Sequence, residues 1–123
     1  MKVVIYMEKF YLEIPSLDRK EEIIEYFNEF AEYNSDINGA GFLDKVLYGY
    51  SFEEALDMCL NMKNEEYARD LNRCPSKTYL LIRKNDNKII GNINVSWNLT
   101  EELKLFGGNI GYSIRPTERK KRI

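Results

Sequence analysis

The sequence contains no histidine, and this absence excludes several kinds of catalytic and metal site at once. A Ser-His-Asp triad, an HExxH zinc site and a Cys2His2 zinc finger all need an imidazole. Only two cysteines are present, Cys59 and Cys74, and neither belongs to a CxxC pair. We therefore expect reduced thiols in a cytoplasmic protein, with Cys59 in a helix core, and no metal site.

The chain also lacks a long hydrophobic run and a strong excess of one charge. No apolar stretch approaches the roughly 18–20 residues that span a bilayer. Residues 1–7 are too short for a signal peptide and lack a cleavage pattern. We therefore expect a cytoplasmic location and no membrane partner. The 18 basic and 20 acidic residues give a net charge of −2, a balance that argues against a nucleic-acid partner.

Positive charge is concentrated at the end of the sequence. Residues 115–123 hold five basic groups and one acidic group, which leaves the preceding 114 residues with a net charge of −6. A short cationic segment on an acidic body needs an explanation of its own.

Length and composition predict one domain over residues 1–123. A hydrophobic content of 44% in 123 residues is enough for a core without disulfides or metal. The changes of hydrophobic period predict an α+β fold, with a mixed, mostly antiparallel sheet and two to three helices. The predicted strands cover residues 3–6, 9–14, 78–84, 88–99 and 106–115, and the predicted helices cover 18–34, 51–63 and a short stretch at 42–48.

Two capping-box patterns predict where helices begin, Asp18 with Glu21 and Ser51 with Glu54. The apolar spacing predicts the buried side chains of both helices. In the first helix these are Ile23, Ile24, Phe27, Phe30, Ala31 and Asn34, and in the second Phe52, Ala55, Leu56, Cys59 and Leu60. Residues 64–75 are polar and are predicted to form a connector.

Strict alternation predicts one buried and one polar face in the long strand 88–99. The apolar positions are Ile93, Val95, Trp97 and Leu99, and the polar positions are Asn92, Asn94, Ser96 and Asn98. We expect the apolar set to be buried. We interpret the polar set as a solvated or helix-covered face, with an acceptor-binding wall as the functional alternative. In the last strand, Ile110, Tyr112 and Ile114 share one face.

The element order and two stretches of sequence resemble the GNAT superfamily of N-acetyltransferases. The order strand, helix, helix, strand, strand, strand is that of the superfamily's amino-terminal half. The stretches are residues 87–91 (NKIIG) and 108–121 (GNIGYSIRPTERKK). The second is the more specific, since it is similar to the segment that enters the acetyl-CoA pyrophosphate loop in many bacterial members. The resemblance implies an incomplete GNAT fold, about the first two-thirds of the family domain.

The resemblance implies acetyl transfer from acetyl-CoA, the co-substrate, to a primary amine. The family's loop motif, Arg/Gln-x-x-Gly-x-Gly/Ala, would begin at Arg119, but its first glycine position holds Arg122. Glycine is needed there because backbone N–H groups must approach the pyrophosphate closely. We therefore expect weak or no acetyl-CoA binding and an inactive chain, truncated at this loop. We interpret the Lys-Lys-Arg-Ile ending as a frameshift, with a deliberate domain cut as the alternative.

The resemblance also implies the residues that meet the cofactor. The backbone of Ile114 and Arg115 would contact the pantetheine arm, and Arg119, Lys120 and Lys121 would contact the phosphates. The alternatives are an ordinary strand and a frayed, solvated terminus. The sequence identifies neither a catalytic residue nor the amine acceptor.

Two further functions stay open, namely a catalytically silent folding or interaction module and a small-ligand-binding domain unrelated to acetyl transfer. Residues 106–115 contain no proline, and their only charge is Arg115. An exposed strand edge with so little charge tends to recruit another strand, and symmetric dimers are the commonest way to close such a surface. We therefore predict a homodimer through residues 106–115.

Overall fold

One antiparallel sheet organises the part of the chain that the computed structural model describes, residues 9–97 and 109–119. Its strands are β1 (Phe10–Glu13), β2 (Ser76–Arg83), β3 (Lys88–Ser96) and β4 (Asn109–Ile114), which pair in that order. The helices are α1 (Lys20–Glu32), α2 (Phe52–Asn61) and α3 (Glu65–Asp70), with short 3-10 turns at Leu17–Arg19, Leu43–Tyr48 and Pro116–Glu118. The α+β prediction is confirmed, and every pairing among the described strands is antiparallel. The predicted strand at 3–6 lies outside the described residues.

The helix starts follow local side-chain chemistry, although only one of the two predicted capping boxes forms. The Ser51 hydroxyl accepts a hydrogen bond from the Glu54 N–H, and the Glu54 carboxylate accepts one from the Ser51 N–H. The box at Asp18 is wrong, because a 3-10 turn occupies that position and α1 begins at Lys20 without a side-chain cap. The predicted connector over residues 64–75 is also wrong. Asn64 caps α3 there by accepting from the Tyr67 N–H, a signal present in the sequence.

The hydrophobic core lies between the helices and one face of the sheet. Tyr26 is at its centre, with ring centroids 5.0 Å from Phe27 and 5.1 Å from Phe30. The largest members of the cluster are Ile23, Tyr26, Phe27, Phe30, Leu43, Phe52, Leu56, Leu80, Ile82 and Ile89. Most of the predicted helix positions are buried, but Ala31, Asn34 and Leu60 are exposed, and Tyr26 and Met62 are buried instead.

The helices cover the polar side of β3, which is one of the two interpretations offered for it, but the expected burial of the apolar positions is wrong. Asn92 is fully buried beneath the helices, whereas Val95 is 38% exposed and Ile93 is half-buried. The neighbouring strand continues the pattern, because Ile110 is 66% and Tyr112 is 63% exposed. The reason is that the helices already supply the apolar side chains of the core and cover the polar face. The opposite, more apolar face has no helix packed on it among the described residues.

A search of the described residues finds no helix that is both long enough and apolar enough to cross a membrane.

Candidate functional site

Strand β4 forms one edge of the sheet. The Arg115 N–H, just after the strand, donates to the Ile90 carbonyl of β3 at 2.8 Å. In an antiparallel strand, the N–H and C=O of one residue point the same way and the direction alternates along the chain. The backbone groups of Ile110, Tyr112 and Ile114 therefore point outward, and no described strand pairs with them.

The turn that follows β4 is fastened to α1 by a single carboxylate. Glu29 accepts hydrogen bonds at 2.9 Å from both the N–H and the hydroxyl of Thr117. Its other oxygen lies 3.4 Å from Nε of Arg115, whose side chain is only 4% exposed. The Arg115 guanidinium carbon also lies 5.4 Å from the centroid of the Tyr26 ring. Arg115 is therefore turned into the molecule, and its N–H is used within the sheet.

The turn is also fastened to the hairpin between β2 and β3. The buried Glu118 carboxylate lies 2.7 Å from an Arg83 guanidinium nitrogen and 3.6 Å from the Lys88 ammonium. Hydrogen bonds from Arg83 to both Asp86 and Glu118 hold the guanidinium in place. Up to Arg119, the cationic segment is thus an ordered part of the fold, and the frayed-terminus alternative is wrong for those residues.

Arg119 closes one end of the exposed edge. Its Nε donates to the Ile114 carbonyl at 2.9 Å, and a terminal nitrogen donates to the Ser35 hydroxyl at 2.8 Å. Its guanidinium carbon lies 5.7 Å from the centroid of the Phe30 ring. The positive charge is therefore held beside the outward carbonyl of Ile114.

The loop after α1 lies directly against β4. The Ser113 hydroxyl donates to the Asn38 carbonyl at 2.8 Å and accepts from the Asn38 N–H at 2.7 Å. A Cβ added to Gly39, where φ is +70°, would lie 2.2 Å from the Gly111 carbonyl oxygen. Only glycine permits this approach of two backbones.

The loop and the strand border an open groove of about 600 Å³, here called the edge groove. Its lining residues are Asp36, Asn38, Ile110, Gly111, Tyr112, Ser113, Ile114 and Arg119. The edge groove thus combines outward backbone groups with one carboxylate, Asp36, and one guanidinium, Arg119. Its volume is within the usual range for small-molecule sites.

A second cavity of about 440 Å³, here called the loop cavity, lies against the ends of β2 and β3. Ser76, Asn94 and Ser96 line it, so part of the predicted polar face does border a cavity. The carboxyl of Asp44 also lines it, and burial raises the pKa of this carboxyl above its ordinary value. The loop cavity shares no lining residue with the edge groove.

The structure brings together only part of the predicted cofactor site. Ile114 and Arg119 line the edge groove, Arg115 is buried behind it, and Lys120 and Lys121 lie outside the described residues. Sequence reasoning missed Asp36 and Asn38, because nothing in a polar loop indicates which strand it will contact. The described residues contain no group of three or more acidic or cysteine side chains that could hold a metal ion.

No model of a protein family matches the chain, and no curated protein is significantly similar to it in sequence.

Proposed function

We propose that this chain corresponds to the amino-terminal part of an acetyl-CoA-dependent N-acetyltransferase of the GNAT type, with a primary amine as acceptor. The observation that carries the proposal is the outward backbone edge of β4 beside the edge groove. The IGYSIRPTER stretch that resembles the superfamily forms this edge and the turn after it.

The chemistry of the cofactor suits such an edge. The pantetheine arm of acetyl-CoA is a narrow chain with two amide groups, so it can hydrogen-bond to outward strand groups much as an added strand would. Within the edge groove, the outward groups left for the cofactor are those of Ile110 and Tyr112 and the N–H of Ile114, since Arg119 already occupies the Ile114 carbonyl. Arg119 also places a fixed positive charge at the end of the edge, which favours the anionic end of the cofactor.

Binding of acetyl-CoA to the isolated chain should be weak, because Arg122 stands where the family's loop has glycine. The test is an amide-resolved NMR titration of the chain with acetyl-CoA into the millimolar range. We expect saturable shifts confined to residues 110–114 and 36–38, with an affinity weaker than micromolar. A titration without shifts at these amides would overturn the proposal, and micromolar or tighter binding would contradict the role given to the loop glycine.

A matched pair of variants identifies the groups responsible. Arg119→Met should weaken the acetyl-CoA response at β4, because it removes the positive charge at the groove. Lys77→Met removes the same charge from an exposed position on the sheet and should leave the response unchanged. Equal responses in both variants would mean that Arg119 has no specific part in binding.

A second candidate function, a self-associating module, is favoured by the exposure of Ile110 and Tyr112, 66% and 63%. These apolar side chains lie on the edge strand, and residues 109–114 carry no charge. An antiparallel pairing of two β4 strands would satisfy the outward N–H and C=O groups of both copies.

Sedimentation equilibrium at several concentrations tests this second function. We expect a dimer that Tyr112→Lys weakens, because a charge would then enter the paired edge. Tyr48→Lys introduces the same change at a residue that is 68% exposed and lies outside both β4 and the edge groove, and it should leave the dimer intact. A monomer of 14.6 kDa at high concentration would refute the self-associating module.

A further inference from the structure

The loop cavity is positively charged in a chain whose net charge is −2. The charged side chains of its lining are Asp44, Lys45 and Arg73, two cations against one carboxylate. The remaining lining residues are Gly39, Ala40, Gly41, Phe42, Tyr48, Met62, Cys74, Ser76, Asn94 and Ser96. The local charge therefore favours an anion, opposite to the charge of the chain as a whole.

The two cations have aromatic contacts in place of a carboxylate partner. The Lys45 ammonium lies 5.9 Å from the ring centroid of Phe42 and 5.7 Å from that of Tyr50, and the Arg73 guanidinium carbon lies 5.2 Å from Phe42. In the parts of the chain that the structure describes, neither cation has a carboxylate oxygen within 4.0 Å. Stacking on an aromatic face orients a cation and leaves its hydrogen-bond donors available.

The floor of the loop cavity adds a neutral donor. The buried Ser76 hydroxyl accepts from the Asn94 amide at 3.0 Å, and within residues 9–97 and 109–119 its own proton has no acceptor. Burying a hydroxyl donor without an acceptor destabilises the fold, and a ligand oxygen that accepted this hydrogen bond would remove the cost. The cavity thus presents a hydroxyl donor at its floor and charged donors from Lys45 and Arg73.

The wall of the loop cavity is rigid because its backbone is fixed on the sheet. Gly41 has φ of +55°, and a Cβ there would lie 2.1 Å from the Thr78 hydroxyl oxygen. Phe42 itself has φ of +74°, a left-handed conformation that bulky residues rarely adopt. The backbone that carries the ring contacted by both cations is therefore packed closely against β2, and a preformed site costs less ordering on binding.

We propose that the loop cavity binds a small organic anion, with a carboxylate or phosphate group held by Lys45, Arg73 and the Ser76 hydroxyl. Asp44, the one carboxyl group of the lining, is available to accept a hydrogen bond from a hydroxyl group of the ligand. The proposal does not depend on acetyl transfer, since the edge groove is a separate site.

The experiment is an amide-resolved NMR titration of the chain with inorganic phosphate, glycerol 3-phosphate and malate, with glycerol as the uncharged control. We expect saturable shifts at residues 39–48 and 94–96 with at least one anion and none with glycerol. A stronger response to malate identifies a carboxylate ligand, and a stronger response to the phosphates identifies a phosphate ligand. The proposal would be overturned if none of the three anions shifted these amides, or if glycerol shifted them as much as the anions do.

Variants separate a specific site from general charge screening. Lys45→Met and Arg73→Met should each weaken the anion affinity by roughly tenfold, as expected for one charge-assisted contact. Lys77→Met, on the opposite face of the sheet, should leave the affinity unchanged, and Lys45→Arg should retain most of it. The NMR spectrum of each variant reports directly whether it is folded. Equal weakening by Lys77→Met would show that the anion senses only net charge, which overturns the site.

Discussion

The Tyr26 hydroxyl donates a hydrogen bond of 2.6 Å to the side-chain oxygen of Asn92, and both side chains are fully buried. The Asn92 amide nitrogen donates in turn to the carbonyls of Asn38 at 2.8 Å and Gly39 at 2.7 Å. Burial raises the pKa of Tyr26 above its ordinary value, so the phenol stays protonated and remains a donor. This chain of hydrogen bonds links α1, β3 and the loop that forms one wall of the edge groove.

Removal of the Tyr26 hydroxyl should destabilise the protein. In Tyr26→Phe, the Asn92 side-chain oxygen remains buried without its donor, which costs about 1–3 kcal/mol. Tyr33→Phe is the matched control, because Tyr33 is exposed and should change the free energy of unfolding by less than about 0.5 kcal/mol. Urea denaturation of both variants provides the comparison, and equal stabilities would show that the buried hydrogen bond contributes nothing.

The contact between the loop and β4 predicts different costs for two glycine substitutions. Gly39→Ala and Gly49→Ala both place a side chain at positive φ, +70° and +91°, which costs about 1–2 kcal/mol. Only the Cβ at Gly39 also collides with backbone, 2.2 Å from the Gly111 oxygen, whereas the Cβ at Gly49 meets nothing within 4 Å. We expect Gly39→Ala to be the more destabilising by a further 1–3 kcal/mol or so. Thermal unfolding measures the difference, and similar losses would contradict the close approach.

The Glu29 carboxylate should control the order of the turn after β4. Glu29→Gln removes the carboxylate that lies beside the buried Arg115 guanidinium, and loss of one partner of a buried pair costs about 3–5 kcal/mol. Hydrogen exchange of the Thr117 N–H, which Glu29 accepts, should accelerate at the same time. Glu25→Gln removes the same charge from an exposed position of α1 and serves as the control. Unchanged exchange at Thr117 in Glu29→Gln would show that the turn is held by other contacts.

Alkaline pH should destabilise the fold through Cys59. Burial raises the pKa of this thiol from 9.0 to about 11, so between these values the unfolded chain releases a proton that the folded chain retains. The stability is therefore full below about pH 9 and falls as pH rises toward 11. With a shift of about two units, the loss is on the order of 2–3 kcal/mol.

Urea denaturation between neutral pH and pH 11, on the wild type and on Cys59→Ala, measures this contribution. Tyr26 also contributes in this range, because burial raises its pKa in the folded chain and the unfolded chain loses the proton first, so the test is the difference in slope between the two proteins. The alanine variant should lose less stability above pH 9. Parallel curves would exclude Cys59 as the source.

The sequence by itself determined the elements whose signals are local. The Ser51 capping box and most of the periodic apolar positions of α1 depend on neighbours within four residues, and the structure contains both. The strand alternation was also correct as a pattern, since Ile110 and Tyr112 do share one face.

Only the tertiary structure decided which face of the sheet is covered. Alternation shows that the two faces of a strand differ, but it does not show which face a helix will pack against. The Asn92 side chain can be fully buried because Tyr26 and the loop carbonyls supply its hydrogen-bond partners. The same limit applies to the site. Arg115 and Arg119 are four positions apart in one basic segment, yet the first pairs with Glu29 inside the fold and the second faces the edge groove. Their separation depends on contacts with α1 and with the loop after it, which are more than 80 positions distant in the sequence. Such long-range contacts form only when the chain folds.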